Sequence, residues 1–203
     1  MSQQVGLDLQ ALASLPPWSP DNTRALDGCL RGSLLKDWGI HVERHWGPEA
    51  PAALIDALGF DLTLRPDLGR WYPVWVQLRL TELIIEHHLH GDAKALIPVI
   101  WEDAMRSAGP IAATALRLAG PVRILRRAPG SFSGFYDQVQ AKAVIEDDRI
   151  QVRYTGPRHV DHPTWQLLQA LSITGLFQMA GISNWLLVTT SPDPGVFELD
   201  LRL

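Results

Sequence analysis

The sequence predicts a soluble α+β domain, and three observations carry that prediction. Apolar residues recur at helical spacing through the first two thirds of the chain. From Gln138 onward they alternate instead at the period of a strand. Between the two alternating stretches lies one more helical run, from Pro163 to about Ala180. Five or six helices followed by β-β-α-β-β describe helices on one face of an antiparallel sheet.

Composition supports a packed domain. Of 203 residues, 46% are hydrophobic and 20% charged, enough to bury a sizeable core. The formal net charge of -4 argues against a nucleic-acid or anionic-membrane surface. Cys29 is the single cysteine, so no internal disulfide can form. Met1-Ser2-Gln3-Gln4 has neither the basic nor the apolar region of a signal peptide. No run approaches the ~18 apolar residues of a membrane span. The cytoplasm is the expected compartment.

Residues 1–24 read as an arm, with residues 25–203 forming one domain. Val5, Leu7, Leu9, Leu12, Leu15 and Trp18 make the arm too apolar for a solvated linker, while Pro16, Pro17 and Pro20 stop a helix. Packing along the domain's own flank weighs more than a docking peptide, and burial on this domain or on a partner stays open; the segment is expected to be dispensable for folding and to contribute to association.

Leu34, Leu35, Trp38, Val42 and Trp46 set a helix over Leu30–Trp46. A second runs from Pro48, at a first-turn position, to Leu58, with Gly59 as its C-cap. Trp71-Tyr72-Pro73 opens the strongest helix, apolar at Val74, Val76, Leu78, Leu80, Leu83, Ile84 and Leu89. Gly91-Asp92 ends it. The next spans about Ala93 to Ser107, with a kink expected at Pro98 or a first turn ending near Ile97. Gly109-Pro110 and Gly120-Pro121 start two more, to Ala119 and Ala128.

Val139, Ala141, Ala143 and Ile145 then share one strand face. Asp147-Asp148 turn the chain, and Ile150, Val152 and Tyr154 face the same way on the return. After the Pro163 helix, Trp185–Thr190 and Val196–Leu203 form a second hairpin around Pro192-Asp193-Pro194-Gly195.

This order resembles a known group. Arg31-Gly32-Ser33, Gly47-Pro48-Glu49-Ala50, Trp71-Tyr72-Pro73, Gly120-Pro121 and Phe197-Glu198-Leu199-Asp200-Leu201 are similar to a large myxobacterial paralogous family of unknown function. The wider resemblance, over residues 28 to 203, is to vinyl-4-reductase-type domains and the TRAPP vesicle-tethering subunits, and distantly to haem nitric-oxide-binding domains. It implies a TRAPP-like fold, a homodimer or another protein partner, and in some members a small aromatic ligand between helices and sheet. Other members hold zinc on a cysteine cluster near the last hairpin, where this chain has no cysteine. Haem-binding relatives pair a proximal histidine with Tyr-x-Ser-x-Arg. Here Tyr154-Thr155-Gly156-Pro157-Arg158 carries glycine for serine, and the histidine cluster at His87, His88 and His90 lies more than sixty residues earlier.

Few residues point to chemistry. His87 and His90 stand at i, i+3, the spacing that lets two imidazoles share a helix face and a metal. Imidazoles at a helix end also simply interact with its carbonyl end, and this weighs more. His159 and His162 form a second pair around Asp161. No Gly-x-Ser-x-Gly elbow and no phosphate loop occur; Gly130-Ser131-Phe132-Ser133-Gly134 reads as a link, and Arg123, Arg126 and Arg127 as a solvated helix face. Eight tryptophans are chiefly core material, yet Trp71, Trp75 and Trp101 are candidates for gripping an apolar or aromatic ligand. The expectation is a non-enzymatic sensor or adaptor without a cofactor. A ligand-binding domain is the alternative, and a metal-dependent enzyme the most remote.

Overall fold

The computed structural model describes residues 8–120, 134–146, 149–182 and 184–202. The helix expected over 121–128, its arginines and most of the 130–134 link fall outside them, as does the Asp147-Asp148 turn. Two antiparallel sheets and seven helices make up the described fold, in the predicted sequence of a helical half and then β-β-α-β-β.

The helical half begins with α1 (Leu9–Leu12) and α2 (Pro20–Arg24), capped by the side chains of Asp8 and Ser19. Leu9, Leu12, Ala13 and Thr23 are buried, so residues 8–24 pack on the domain itself. Two short strands follow where helix was expected. β1 (Cys29–Arg31) pairs with β2 (Trp71–Pro73), with Leu30 opposite Tyr72. The first helix of this region is therefore α3 (Trp38–Trp46), preceded by a 3₁₀ turn at Gly32–Leu35. α4 (Ala50–Leu58) carries Pro51, not Pro48, in its first turn and ends on Gly59 in the left-handed conformation.

α5 (Val74–His88) is buried along most of its circumference, as its composition requires. α6 (Leu96–Ala119) follows a 3₁₀ turn at Ala93–Ala95. Its break falls at Gly109 (φ 68°), where Gly109-Pro110 marks it, and not at Pro98. Pro98 is third in the helix, where a missing N–H deprives no carbonyl of a partner.

The second sheet has strand order β3-β4-β6-β5, from β3 (Gln140–Glu146), β4 (Arg149–Thr155), β5 (Leu186–Thr190) and β6 (Val196–Arg202). Ile150, Val152, Tyr154, Phe197, Leu199 and Leu201 all face inward, as the alternation predicts. The outer face is bound by ion pairs across β4 and β6, Arg149–Asp200 (2.5 Å) and Arg153–Glu198 (2.7 Å). α7 (Pro163–Ala180) lies on the inner face, starting at Pro163. Its Trp165 is fully buried and meets Tyr154 (ring centres 5.4 Å apart), Tyr136 and Phe197 edge-on. No described helix is long and apolar enough to cross a membrane.

Candidate functional site

A cleft of about 280 Å³ opens among the 3₁₀ turn at Gly32–Leu35, α3, α5, α6 and α7. Its walls include Trp38, Val42, Trp46, Leu80, Ile84 and Ile100. The helical periods of α3, α5 and α6 bring these residues onto facing stripes. Trp46 is fixed from behind by His88, stacked at 4.8 Å and 15°. Burial, and then the neighbouring His87, push the His88 pKa down, so this imidazole stacks as a neutral ring.

One end of the cleft is polar. Asp103, on α6, is buried and receives three groups from one face of α3, at i, i+3 and i+4. His41 Nδ1 lies 3.1 Å and His45 Nε2 2.9 Å from Asp103 Oδ1, and Arg44 pairs with the same oxygen. Ser107 Oγ stands 3.2 Å from His41 Nε2. Those distances are what a nucleophile, its base and the base's orienter require. Ser107 nevertheless sits inside a helix, where its own N–H belongs to the helical ladder. No strained elbow presents it beside free backbone donors, and Arg44 Nη2 competes for His41 Nδ1 at 2.6 Å. The arrangement suits holding a polar group better than acyl transfer.

A second cleft, of about 300 Å³, lies between residues 12–17 and the α5–α7 surface, with Glu82, Glu86 and Thr164 on its lining. Beneath it runs a buried polar chain. Arg79 Nη1 donates to Glu82 (2.5 Å) and Glu86 (3.2 Å), and Thr164 Oγ1 to Glu82 (3.3 Å). His162 caps α7: its Nδ1 accepts from the Thr164 N–H (3.2 Å). The ring proton of neutral His162 is therefore on Nε2, facing Thr23 Oγ1 (3.0 Å) and Glu82 Oε1 (3.3 Å). Desolvation, ahead of His159 and Arg79, pushes the His162 pKa down to about 4. Desolvation also raises the Glu82 carboxyl, against the opposing pull of Arg79.

The three ligand-binding tryptophans expected from sequence are not brought together. Trp71 is on β2 at the surface, with the Arg31 guanidinium 4.2 Å over its ring. Trp75 is half-buried and meets Phe60 edge-on. Trp101 donates to Thr174 Oγ1 (3.2 Å) and meets Trp185 edge-on. None lines the cleft, whereas Trp38 and Trp46 do. α5 ends at His88, and His90 takes a left-handed φ of 53°, so His87 and His90 do not share a continuing helix face. His159 and His162 are buried on Asp27 O and on the Thr23–Glu82 network. Among the described residues, no group of three or more His, Cys, Asp or Glu could hold a metal ion.

No family model matches the chain, and no curated protein matches it. Two solved structures share its fold. One is a protein studied for modulation of haem redox potential through protein-induced porphyrin distortion, the other for the function of haem distortion in the H-NOX family. Each is 12% identical with a TM-score of 0.57 over 86% of this chain, covering 100% and 95% of its own length. The architecture is thus H-NOX-like, the most distant of the expected resemblances.

The described residues do not fit haem. Tyr154 is buried in the aromatic core, stacked on Phe197, and burial raises its phenol pKa. Arg158 lies over the Trp18 ring at 5.0 Å. A Cβ on Gly156 would stand 3.1 Å from Val139 and Val160, so a serine there would be crowded. Trp165, Phe177 and Phe197 fill the space between α7 and the sheet; among the described residues His88 Nε2 and His159 Nε2 are buried without a hydrogen-bond partner, but the rings are covered by Trp46 and by Tyr136 and Trp165 respectively.

Proposed function

We propose that this chain is a non-enzymatic sensor domain that binds one small apolar or aromatic molecule in the cleft between α3, α5 and α6. The observation that carries this reading is the cleft itself: apolar walls with two tryptophans, and polar groups gathered at one end. The H-NOX-like architecture supports it, since the solved relatives are haem proteins. Here a smaller molecule takes the ligand's part. Its volume, about 280 Å³, is at the low end for ligand pockets and suits a single ring or a short branched chain.

Tryptophan fluorescence tests the reading. Titration with a panel of single-ring compounds should change the emission of the native protein, and native mass spectrometry should retain one molecule per chain. Silence in both removes it. The adaptor role and homodimer implied by the family resemblance belong to the same proposal. The mass in solution decides the dimer, and a strict monomer at micromolar concentration sinks that part.

A further inference from the structure

Resting on the homodimer in that proposal, we infer that two copies of the chain join edge to edge, β3 against β3, into one continuous sheet. β3 (Gln140–Glu146) ends the four-stranded sheet, and among the described residues it is bonded to β4 alone. An edge strand offers a row of free N–H and C=O groups to any strand that fits it. The opposite edge, β5, is shorter and has α1 packed against it. β3 contains neither proline nor glycine, so its whole length can pair.

The residues of β3 select the partner. Its inner face, Ala141, Ala143 and Ile145, is only half-buried, whereas Ile150, Val152 and Tyr154 on β4 are fully covered. Its outer face carries Lys142, Val144 and Glu146, all exposed, with Val144 52% exposed. Within its own sheet Lys142 stands opposite Arg153, whose charge Glu198 already takes. Like charges directly opposite each other are unfavourable, and no described carboxylate pairs with Lys142. A lone lysine on an edge strand ordinarily turns other strands away. Here, however, Glu146 stands four positions further along the same face. Antiparallel pairing about a two-fold axis through Val144 sets Lys142 of each copy opposite Glu146 of the other. That carboxylate also offsets the repulsion between Lys142 and Arg153. The same register puts the two Val144 side chains together and sets Ala143 against Ile145 on the inner face, extending the core across the joint. Moving the axis to Ala143 loses both ion pairs, since Lys142 then meets Val144 and Glu146 meets Gln140. The edge thus refuses most strands and accepts its own copy.

Sedimentation of the native protein over a micromolar concentration series should show a monomer–dimer equilibrium, because one strand pair buries less area than a permanent dimer. Lys142→Glu and Glu146→Lys should each weaken that dimer by about tenfold or more, since each sets like charges across both pairs. The double exchange, Lys142→Glu with Glu146→Lys, should restore it. In a Cys29→Ser background, Val144→Cys should give a disulfide-linked dimer on mild oxidation, because a residue on the axis meets its own copy. Circular dichroism checks that each variant folds; should a charge variant fail, the cross-link reads the same register. A dimer that both single variants leave unchanged uses another surface, which overturns the β3 assignment and leaves the homodimer standing. A double exchange that stays monomeric overturns the register. A strict monomer across the series removes the homodimer and this assignment together, and leaves the ligand reading to its own fluorescence test.

Discussion

His162 Nε2 faces Thr23 Oγ1 at 3.0 Å, which ties the start of α7 to a helix 139 positions earlier in the chain. The imidazole is fully buried and neutral, with its pKa held near 4 by desolvation. Unfolding releases it to an ordinary value near 6.5. Because the folded pKa lies below the unfolded one, the unfolded chain binds the extra proton. His162 burial is therefore fully favourable above pH 6.5 and loses its advantage as pH falls toward 4. Between pH 7 and pH 5 the native protein should lose roughly 2 kcal/mol from this group. Glu82, whose carboxyl is raised, offsets part of that, since the two titrate as a coupled pair. Urea unfolding at both pH values, for native protein and His162→Gln, reads the difference. Equal pH slopes for the two proteins would refute it.

The same contact bears on the arm. Sequence reasoning separates residues 1–24 from the core, yet Leu12 and Thr23 are as buried as any residue in the fold, and Trp18 packs on His162 at 4.8 Å. Leu12→Ala should lower stability by about 3 kcal/mol. Deleting residues 2–22 should lower the melting temperature sharply and expose the His162 network to water. An unchanged melt after deletion would restore the arm as an element of association alone.

Gly32 is constrained by space rather than by φ. A Cβ there would fall 2.0 Å from the backbone oxygen of Asp67, and Gly32 N donates to Arg70 O at 2.9 Å. Gly32→Ala must push the 67–70 loop away from the β1–β2 pair. The expected loss is about 2–3 kcal/mol by chemical denaturation. A loss under 0.5 kcal/mol would mean that the loop yields freely.

Filling the cleft should abolish its response. Ala104 lines it and is only half-buried, so Ala104→Phe occupies the space with little strain on the core. The variant should keep the native circular dichroism spectrum and lose the ligand-induced change in fluorescence. A retained response would place the ligand elsewhere, with Trp71, Trp75 and Trp101 next to be replaced.

His87 and His90 are both exposed. His87→Ala with His90→Ala should leave stability within about 0.5 kcal/mol. Elemental analysis of untagged native protein should find no stoichiometric metal that the double variant lacks. Metal lost with these two side chains would revive the metal-dependent reading.

Local signals were the legible ones. Alternation marks β3, β4 and β6 and their inward faces, and Pro163, Gly59 and Gly109-Pro110 mark the start of α7, the end of α4 and the break in α6, because each acts on the residues beside it. β1 and β2 escaped notice. Three-residue strands paired across forty positions have no period to read, and both were absorbed into the helical runs that follow them. The cleft escaped for the same reason, since Asp103 lies about sixty residues from His41. One signal was nevertheless present. His41, Arg44 and His45 stand at i, i+3 and i+4, a basic helical face whose acidic counterpart could have been sought on α6. The number of tryptophans does not say which of them meet: Trp38 and Trp46 line the cleft, whereas Trp75 packs on Phe60 and Trp101 on Trp185.

The strand order carries a consequence for how the protein is made. β6 follows β3, β4 and β5 in the chain but lies between β4 and β5. During N-to-C synthesis the first hairpin is complete while one edge of β4 is still bare, and β5 has no partner at all. Ribosomal emergence of Val196–Arg202 closes both gaps in a single step. Until then two strand edges stay unpaired, a window in which mispairing competes with folding. Holding the helical half ready beforehand shortens that window, because α7 then docks as soon as its sheet exists.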